Sequence, residues 1–164
     1  MGMIATFTAV SSDTLTSLRS NPGASPGALF EQNDGHENLN SVDVDKAWQG
    51  IHYLLTGTAY EGDGPLAWVI MGGQPLDEHN TSEHVRFLDA DSVKQIAAAL
   101  TEVDVEKLRA RYNPQTMEEK KIYPGVWLRD GDFGLKYILD YFAILKKFYI
   151  DTAARGDAVV TAIL

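Results

Sequence analysis

Few side chains in this chain have the type and spacing that chemistry needs, and the best of them share one edge of a helix. Within the run from Ser41 to Gly57, Asp45, Gln49, His52 and Thr56 recur at the three- and four-residue intervals that stack side chains along a helical stripe. An imidazole titrates near neutral pH and needs a neighbour to fix its tautomer, so His52 is the best candidate for a general base, with Asp45 and Gln49 as orienting groups. Asp45 lies two turns from His52, which argues against direct contact, and a packed edge histidine is the plainer reading. Arg86 is a cation in a strand-like apolar setting, where a guanidinium takes either a carboxylate partner or an anionic ligand. Tyr123 and Trp127, on a proline-broken loop, join Trp48, Tyr53 and Trp68 as aromatics that could line a pocket or simply fill a core.

Other candidates carry less. His79 and His84, flanked by Glu78 and Glu83, match no zinc spacing, and His36 sits in a polar stretch, so no metal site is assigned. Gly72-Gly73 follows an apolar run as a phosphate-binding turn would, yet the glycine pattern and the following helix of such turns are missing, which favours simple termination. Ser11 and Ser12 lack the surroundings of a nucleophilic serine. No recognised catalytic, metal or nucleotide motif is completed, and no cofactor is expected.

Composition narrows the function class. At 164 residues with 45% hydrophobic content, the chain reads as one domain, residues 1–164, able to bury close to 70% of its unfolded surface. Lys and Arg number 14 against 23 Asp and Glu, a net charge of −9 that repels phosphate backbones and anionic membranes. Neither nucleic acid nor a membrane is an expected partner; another protein or a small anionic molecule is. The absence of cysteine fits a reducing compartment, and no apolar run approaches a membrane span or a secretory leader, so a cytoplasmic location is expected.

The elements that must position these residues are signalled locally. Val44, Ala47, Trp48, Ile51, Leu54 and Leu55 fall on one helical face, so residues 43 to 56 are expected to form one helix. Ser41 or Asp43 would cap it, Gly57 would end it, and Lys46 and Tyr53 would lie toward solvent. Strands are expected at Met3 to Val10, Leu66 to Met71, His84 to Leu88 and Asp157 to Leu164. Helices are expected after Ser11 or Ser12, at Ser25-Pro26 with Leu29 and Phe30 inward, from Asp89 to about Glu102, from Asp104 to about Tyr112 with Val105 and Leu108 inward, and after Asn113-Pro114. The longest helix, from about Asp130 or Asp132 to Arg155, carries so many aromatics that it should be largely buried. The fold class is α+β: a small mixed or antiparallel sheet of three to four strands, packed with several helices.

The run Asp45-Lys46-Ala47-Trp48-Gln49-Gly50-Ile51-His52-Tyr53-Leu54-Leu55-Thr56-Gly57 resembles the signature of the YfbM-like family, a bacterial domain of unknown function. The resemblance extends over Met1-Gly2-Met3-Ile4, Arg86-Phe87-Leu88, Ile122-Tyr123-Pro124-Gly125-Val126-Trp127 and the ending from Phe148-Tyr149 through Gly156-Asp157-Ala158-Val159-Val160. It implies a compact bacterial α+β domain and brings no activity with it. The family often has His where this chain has Gln49, so no histidine role carries over to that position.

Two function classes remain. One is a non-catalytic protein-recognition or regulatory module with an acidic surface and an aromatic-lined groove. The alternative is a binding protein or enzyme for a small anionic molecule, with a ligand cleft formed by Asp45, Trp48, Gln49, His52, Tyr53, Arg86, Tyr123 and Trp127. In that case His52 and Arg86 should face one concavity.

Overall fold

In this computed structural model the described residues are 2–21, 40–77 and 84–164. The helix expected at Ser25-Pro26 and the candidates His36, Glu78, His79 and Glu83 lie outside them. The β-branched, apolar ends of the chain make the middle of the sheet. Strand β1 (Ala5–Val10) pairs with the last strand, β5 (Ala158–Ile163), in a register that sets Thr6 opposite Ala162 and Val10 opposite Ala158. β2 (Ser41–Asp43) flanks β1, while β4 (Val85–Leu88) and β3 (Gln74–Pro75) extend the other side. The order is β2-β1-β5-β4-β3, and every neighbouring pair is antiparallel.

Successive strand residues point to opposite faces, and both faces are covered. Ala5, Phe7, Ala9, Leu88 and Val159 join the main core beneath the helices, whereas Val10, Phe87, Ala158 and Val160 pack with Leu15 and Leu76 on the reverse. Leu15 comes from α1 (Ser12–Ser20), whose first turn is capped by the Ser11 hydroxyl accepting from the Thr14 amide at 3.1 Å. The sheet thus has five strands among the described residues, not three to four. The two additions are three and two residues long, too short to leave a periodic signal; Ser41–Asp43 had been read as a helix cap.

Helices α2 (Trp48–Thr56), α3 (Pro65–Met71), α4 (Ala90–Thr101), α5 (Val105–Arg111), α6 (Pro114–Glu119), α7 (Trp127–Asp130) and α8 (Asp132–Arg155) complete the described elements. Asp89, Asp104 and Asn113 each accept a first-turn amide, as their positions at the expected helix starts predict. The run Leu66 to Met71 is helix, not strand. A short continuous apolar stretch suits either state, and Pro65 at the first helical position decides it.

α8 also departs from expectation. Gly134, Ile138, Phe142, Leu145, Phe148, Tyr149 and Thr152 make one buried face, and the Tyr149 hydroxyl donates to Val69 O at 2.7 Å inside the core. The opposite face is open: Phe133 is 82% exposed, and Ile144 and Ile150 are also exposed. Val105, expected inward, is exposed on the facing helix α5.

Gly73 shows how closely α3 and the sheet edge approach. Its φ is +88°, and a Cβ there would sit 2.2 Å from the carbonyl oxygen of Phe87. Gly156, which ends α8 at φ +74°, has nothing within 4 Å of that position. Both positions carry the left-handed cost of about 1–2 kcal/mol for a side chain, but only Gly73 adds a backbone collision. In urea unfolding, Gly73→Ala should therefore lose at least about 2 kcal/mol more than Gly156→Ala; equal losses would contradict this packing.

Candidate functional site

The central helix begins later than its apolar spacing suggests. Asp45 has φ +45°, a left-handed conformation that cannot continue an α-helix but that Asp tolerates. A short 3₁₀ turn, Asp45–Ala47, therefore separates β2 from α2. Tyr137 of α8 holds this corner: its hydroxyl donates to Asp45 Oδ2 at 2.8 Å and accepts from the Lys46 amide at 3.1 Å. Burial first, then the Asp45 carboxylate, push the Tyr137 phenol up, so it remains a donor. Asp45 thus belongs to a contact with α8 and is no part of the stripe that carries His52. The expected cap by Asp43 survives as a tight turn in which its Oδ1 accepts from the Asp45 amide at 2.9 Å.

From Trp48 onward the helix forms as read, and Gly57 ends it at φ +80°. That left-handed residue turns the chain back, so that residues 58–61 run along the polar edge of α2. Gln49 Nε2 donates to Ala59 O at 3.0 Å, His52 Nε2 bonds Glu61 O at 3.1 Å, and the Thr56 and Thr58 hydroxyls meet at 3.0 Å. Thr58 Oγ1 donates to Glu61 O as well. The polar stripe is real, but it fastens a loop to the helix instead of facing a cleft. With that loop in place His52 and Gln49 are both 0% exposed, and Tyr53, expected near solvent, is buried too.

The state of the imidazole follows from its partner. A carbonyl only accepts, so Nε2 carries the proton and Nδ1 keeps a lone pair, which is buried and has no hydrogen-bond partner among the described residues. Burial is the largest influence and lowers the His52 pKa below 6.5, against smaller upward pulls from the Glu61 carbonyl and the Glu61 charge. The ring is a neutral donor with no route to solvent.

Gln49 works on both sides. Its Oε1 accepts from the Tyr123 amide at 2.7 Å, which ties the loop before α7 to α2. Tyr123 stacks on Trp48 with ring centroids 5.4 Å apart, and its hydroxyl accepts from the Met3 amide at 2.7 Å. Trp48 Nε1 donates to Met3 O at 3.1 Å. Trp127 is 0% exposed and donates Nε1 to Ile122 O at 2.7 Å. It sinks between helices because Gly50 and Gly134 make room: a Cβ on either would lie 3.1 or 3.2 Å from its ring. Trp48 and Trp127 are packed into the core and line no accessible groove.

Arg86 sits apart from this group, on β4 opposite Pro75. Its Nε donates to Gly72 O at 3.2 Å and its Nη2 to Gly73 O at 2.6 Å. The guanidinium thereby caps the carbonyls that α3 and the glycine turn leave open, a role that neither a carboxylate partner nor an anion anticipates. The structure brings Trp48, Gln49 and Tyr123 into one contact group, leaves His52 sealed beside it, and sends Asp45 and Arg86 elsewhere. His52 and Arg86 do not face one concavity, since His52 faces none.

Open concavities lie on other surfaces. One, of about 540 Å³, runs between α5 and α8; another, of about 460 Å³, is bounded by Arg19, Trp68, Gln74 and Ser92; a third, of about 270 Å³, lies beside Lys107 and Arg111. None is lined by a residue of the sequence-derived cleft. The aromatic density of α8 predicts burial on every side and so masks the α5–α8 groove in the sequence; the adjacent Lys146-Lys147 is the signal that one side is open.

Two outcomes follow for the interior. Gln49→Leu orphans the Tyr123 amide and the Ala59 carbonyl, both partly buried, so unfolding free energy should drop by about 2 kcal/mol, at the low end of roughly 1–3 kcal/mol per unpaired group. For His52, the folded pKa lies below the unfolded one, so its contribution is fully present above pH 6.5. Below that, the unfolded chain binds the proton first and stability falls with pH. The urea midpoint of the native chain should fall as pH drops from about 7.5 to 5.5, and fall less steeply in His52→Gln; identical slopes would remove His52 from the acid response.

Among the described residues no helix is long and apolar enough to cross a membrane, and no group of three or more His, Cys, Asp or Glu side chains is arranged to hold a metal ion. Comparison with known proteins agrees with the architecture. Protein YfbM of Escherichia coli strain K12 is 29% identical over 174 aligned residues, covering all of this chain and 99% of that protein. The crystal structure of YfbM from Escherichia coli, titled a protein of unknown function, superposes with a TM-score of 0.79 at 22% identity, over 99% of this chain and 100% of that one. The shared α+β fold, the full-length relative and a family model that spans residues 1–162 lead to one conclusion: the chain belongs to the YfbM-like family, described as a domain of unknown function (DUF1877).

Proposed function

We propose that this protein is a cytoplasmic, non-catalytic recognition module that engages another protein through its charged, predominantly acidic surface. One observation carries the reading. The imidazole that sequence nominates for proton transfer is sealed, neutral and committed to the Glu61 carbonyl. A general base must reach the proton it abstracts, and a side chain in this position reaches only its own loop. The net charge of −9 favours electrostatic steering of a partner over recognition of an anion. The alternative, a cleft for an anionic small molecule lined by His52, Arg86, Tyr123 and Trp127, has less support because two of those four side chains have no accessible surface.

A pair of measurements decides between them. In capture from a bacterial lysate, the intact protein should retain a partner at low salt and release it at about 0.5 M salt, where exposed charges are screened within a few ångströms. His52→Gln should retain the same partner. A metabolite that stabilises the native state by about 2.7 kcal/mol at 100 times its dissociation constant, with the shift lost in Arg86→Lys, would overturn the reading in favour of a ligand site.

A further inference from the structure

The groove between α5 and α8 differs in character from the rest of this acidic molecule. Along α8, Leu139, Ala143, Lys146 and Ile150 follow one another at four, three and four residues, so they form one straight stripe about 16 Å long. Val105 and Arg109, four residues apart on α5, make the facing wall. Val105 and Ile150 remain more than a third exposed although they line a concavity. Arg109, Lys146 and Lys147 line the groove with one carboxylate, Asp140, and the pairs Glu106–Arg109, Asp151–Lys147 and Lys136–Asp140 leave one cation in excess there on a chain of net −9.

These cations are available. Arg109 is paired with Glu106 at 3.4 Å and Lys147 with Asp151, and both pairs stand in solvent, where such contacts are worth about 0–1 kcal/mol and exchange readily. Lys146 has no ion-pair partner among the described residues. An apolar floor three helical turns long between two helices, edged by positive charge, matches an amphipathic helix whose apolar side chains recur at i, i+3 or i+4 and i+7 and whose flanks are acidic. A second copy docking through the same face would set Arg109, Lys146 and Lys147 against their own counterparts, and a flat membrane does not follow a concave surface.

We propose that the α5–α8 groove docks an acidic amphipathic helix of a partner protein, with Arg109, Lys146 and Lys147 holding its carboxylates. This keeps the recognition role proposed above, on which it rests, but moves the contact from the acidic surface to one cation-edged groove. The probe is a fluorescent synthetic helix of about five turns with Leu at the i, i+3, i+4, i+7 positions and Glu on its flanks, compared with the same peptide carrying Lys in place of Glu. By fluorescence anisotropy the acidic peptide should saturate the protein and weaken as salt is raised, and the basic peptide should bind at least about tenfold more weakly.

Lys146→Glu/Lys147→Glu should lose about tenfold or more, and Ala143→Gln, which fills the exposed floor without changing charge, should lose a similar factor. Melting temperatures of both variants should stay close to that of the native chain, because the altered side chains are not in the core. Equal binding of the two peptides, absence of saturable binding by the acidic one, or indifference to both variants would overturn the proposal. So would decanoate or anionic vesicles binding where the peptide does not, or a dimer in sedimentation that Ala143→Gln dissolves. A salt-sensitive lysate partner unaffected by the groove variants would leave the recognition reading standing and remove this groove from it.

Discussion

A single buried amide organises the interior. Gln49, wholly enclosed in α2, donates to the carbonyl of Ala59 and accepts from the amide of Tyr123, so three separate segments share one side chain. A backbone amide or carbonyl withdrawn from water needs a partner, and neither the returning loop nor the segment before α7 has a strand neighbour at those atoms to supply it. Gln49 satisfies both with its two ends, and the neighbouring donor from His52 fixes the loop one step further along, at Glu61. Tyr123 can then stack on Trp48, Trp48 can reach Met3, and the N-terminal strand is placed against the helix layer. Replacing the amide by a hydrocarbon would keep the volume and lose the connection.

This arrangement explains why chemistry and structure are hard to separate in the sequence. Gln49, His52 and Thr56 have the spacing of a catalytic edge, and that spacing serves equally well to fasten a loop. Which of the two applies depends on what covers the stripe, and the covering residues 58–61 announce themselves only through Gly57, which lets the chain reverse. The caps at Ser11, Asp89, Asp104 and Asn113, the stops at Gly57 and Gly156, and the extent of α8 were all legible, because each depends on atoms within one turn of the residue concerned.

What was not legible depends on distant partners. Asp45 is left-handed because Tyr137, ninety-two residues away, holds its carboxylate. The strand at Ser41–Asp43 exists because β1 offers it Thr6, Phe7 and Thr8 to pair with. Trp127 is buried because Gly50 and Gly134 vacate the space its ring fills. A guanidinium in an apolar strand demands acceptors, and for Arg86 these are the Gly72 and Gly73 carbonyls just before the neighbouring strand β3, which no spacing rule reveals.

Departures from local rules in this molecule divide into two kinds. Inside, nearly every irregularity has a named compensation: the left-handed Asp45 has Tyr137, the sealed His52 has Glu61, and the enclosed Gln49 has both of its partners. Outside, several large apolar side chains of α8 and α5 have no cover among the described residues. Phe133, Ile144, Ile150 and Val105 stay in water beside lysines and an arginine, although α8 carries enough aromatic residues to make a second buried face. Burying those four would gain free energy at roughly 25 cal/mol per Å² of apolar surface, and the fold leaves that gain unrealised. The interior keeps one polar atom without a partner among the described residues, His52 Nδ1, while Val105 and Ile150 leave apolar surface open in the groove between α5 and α8.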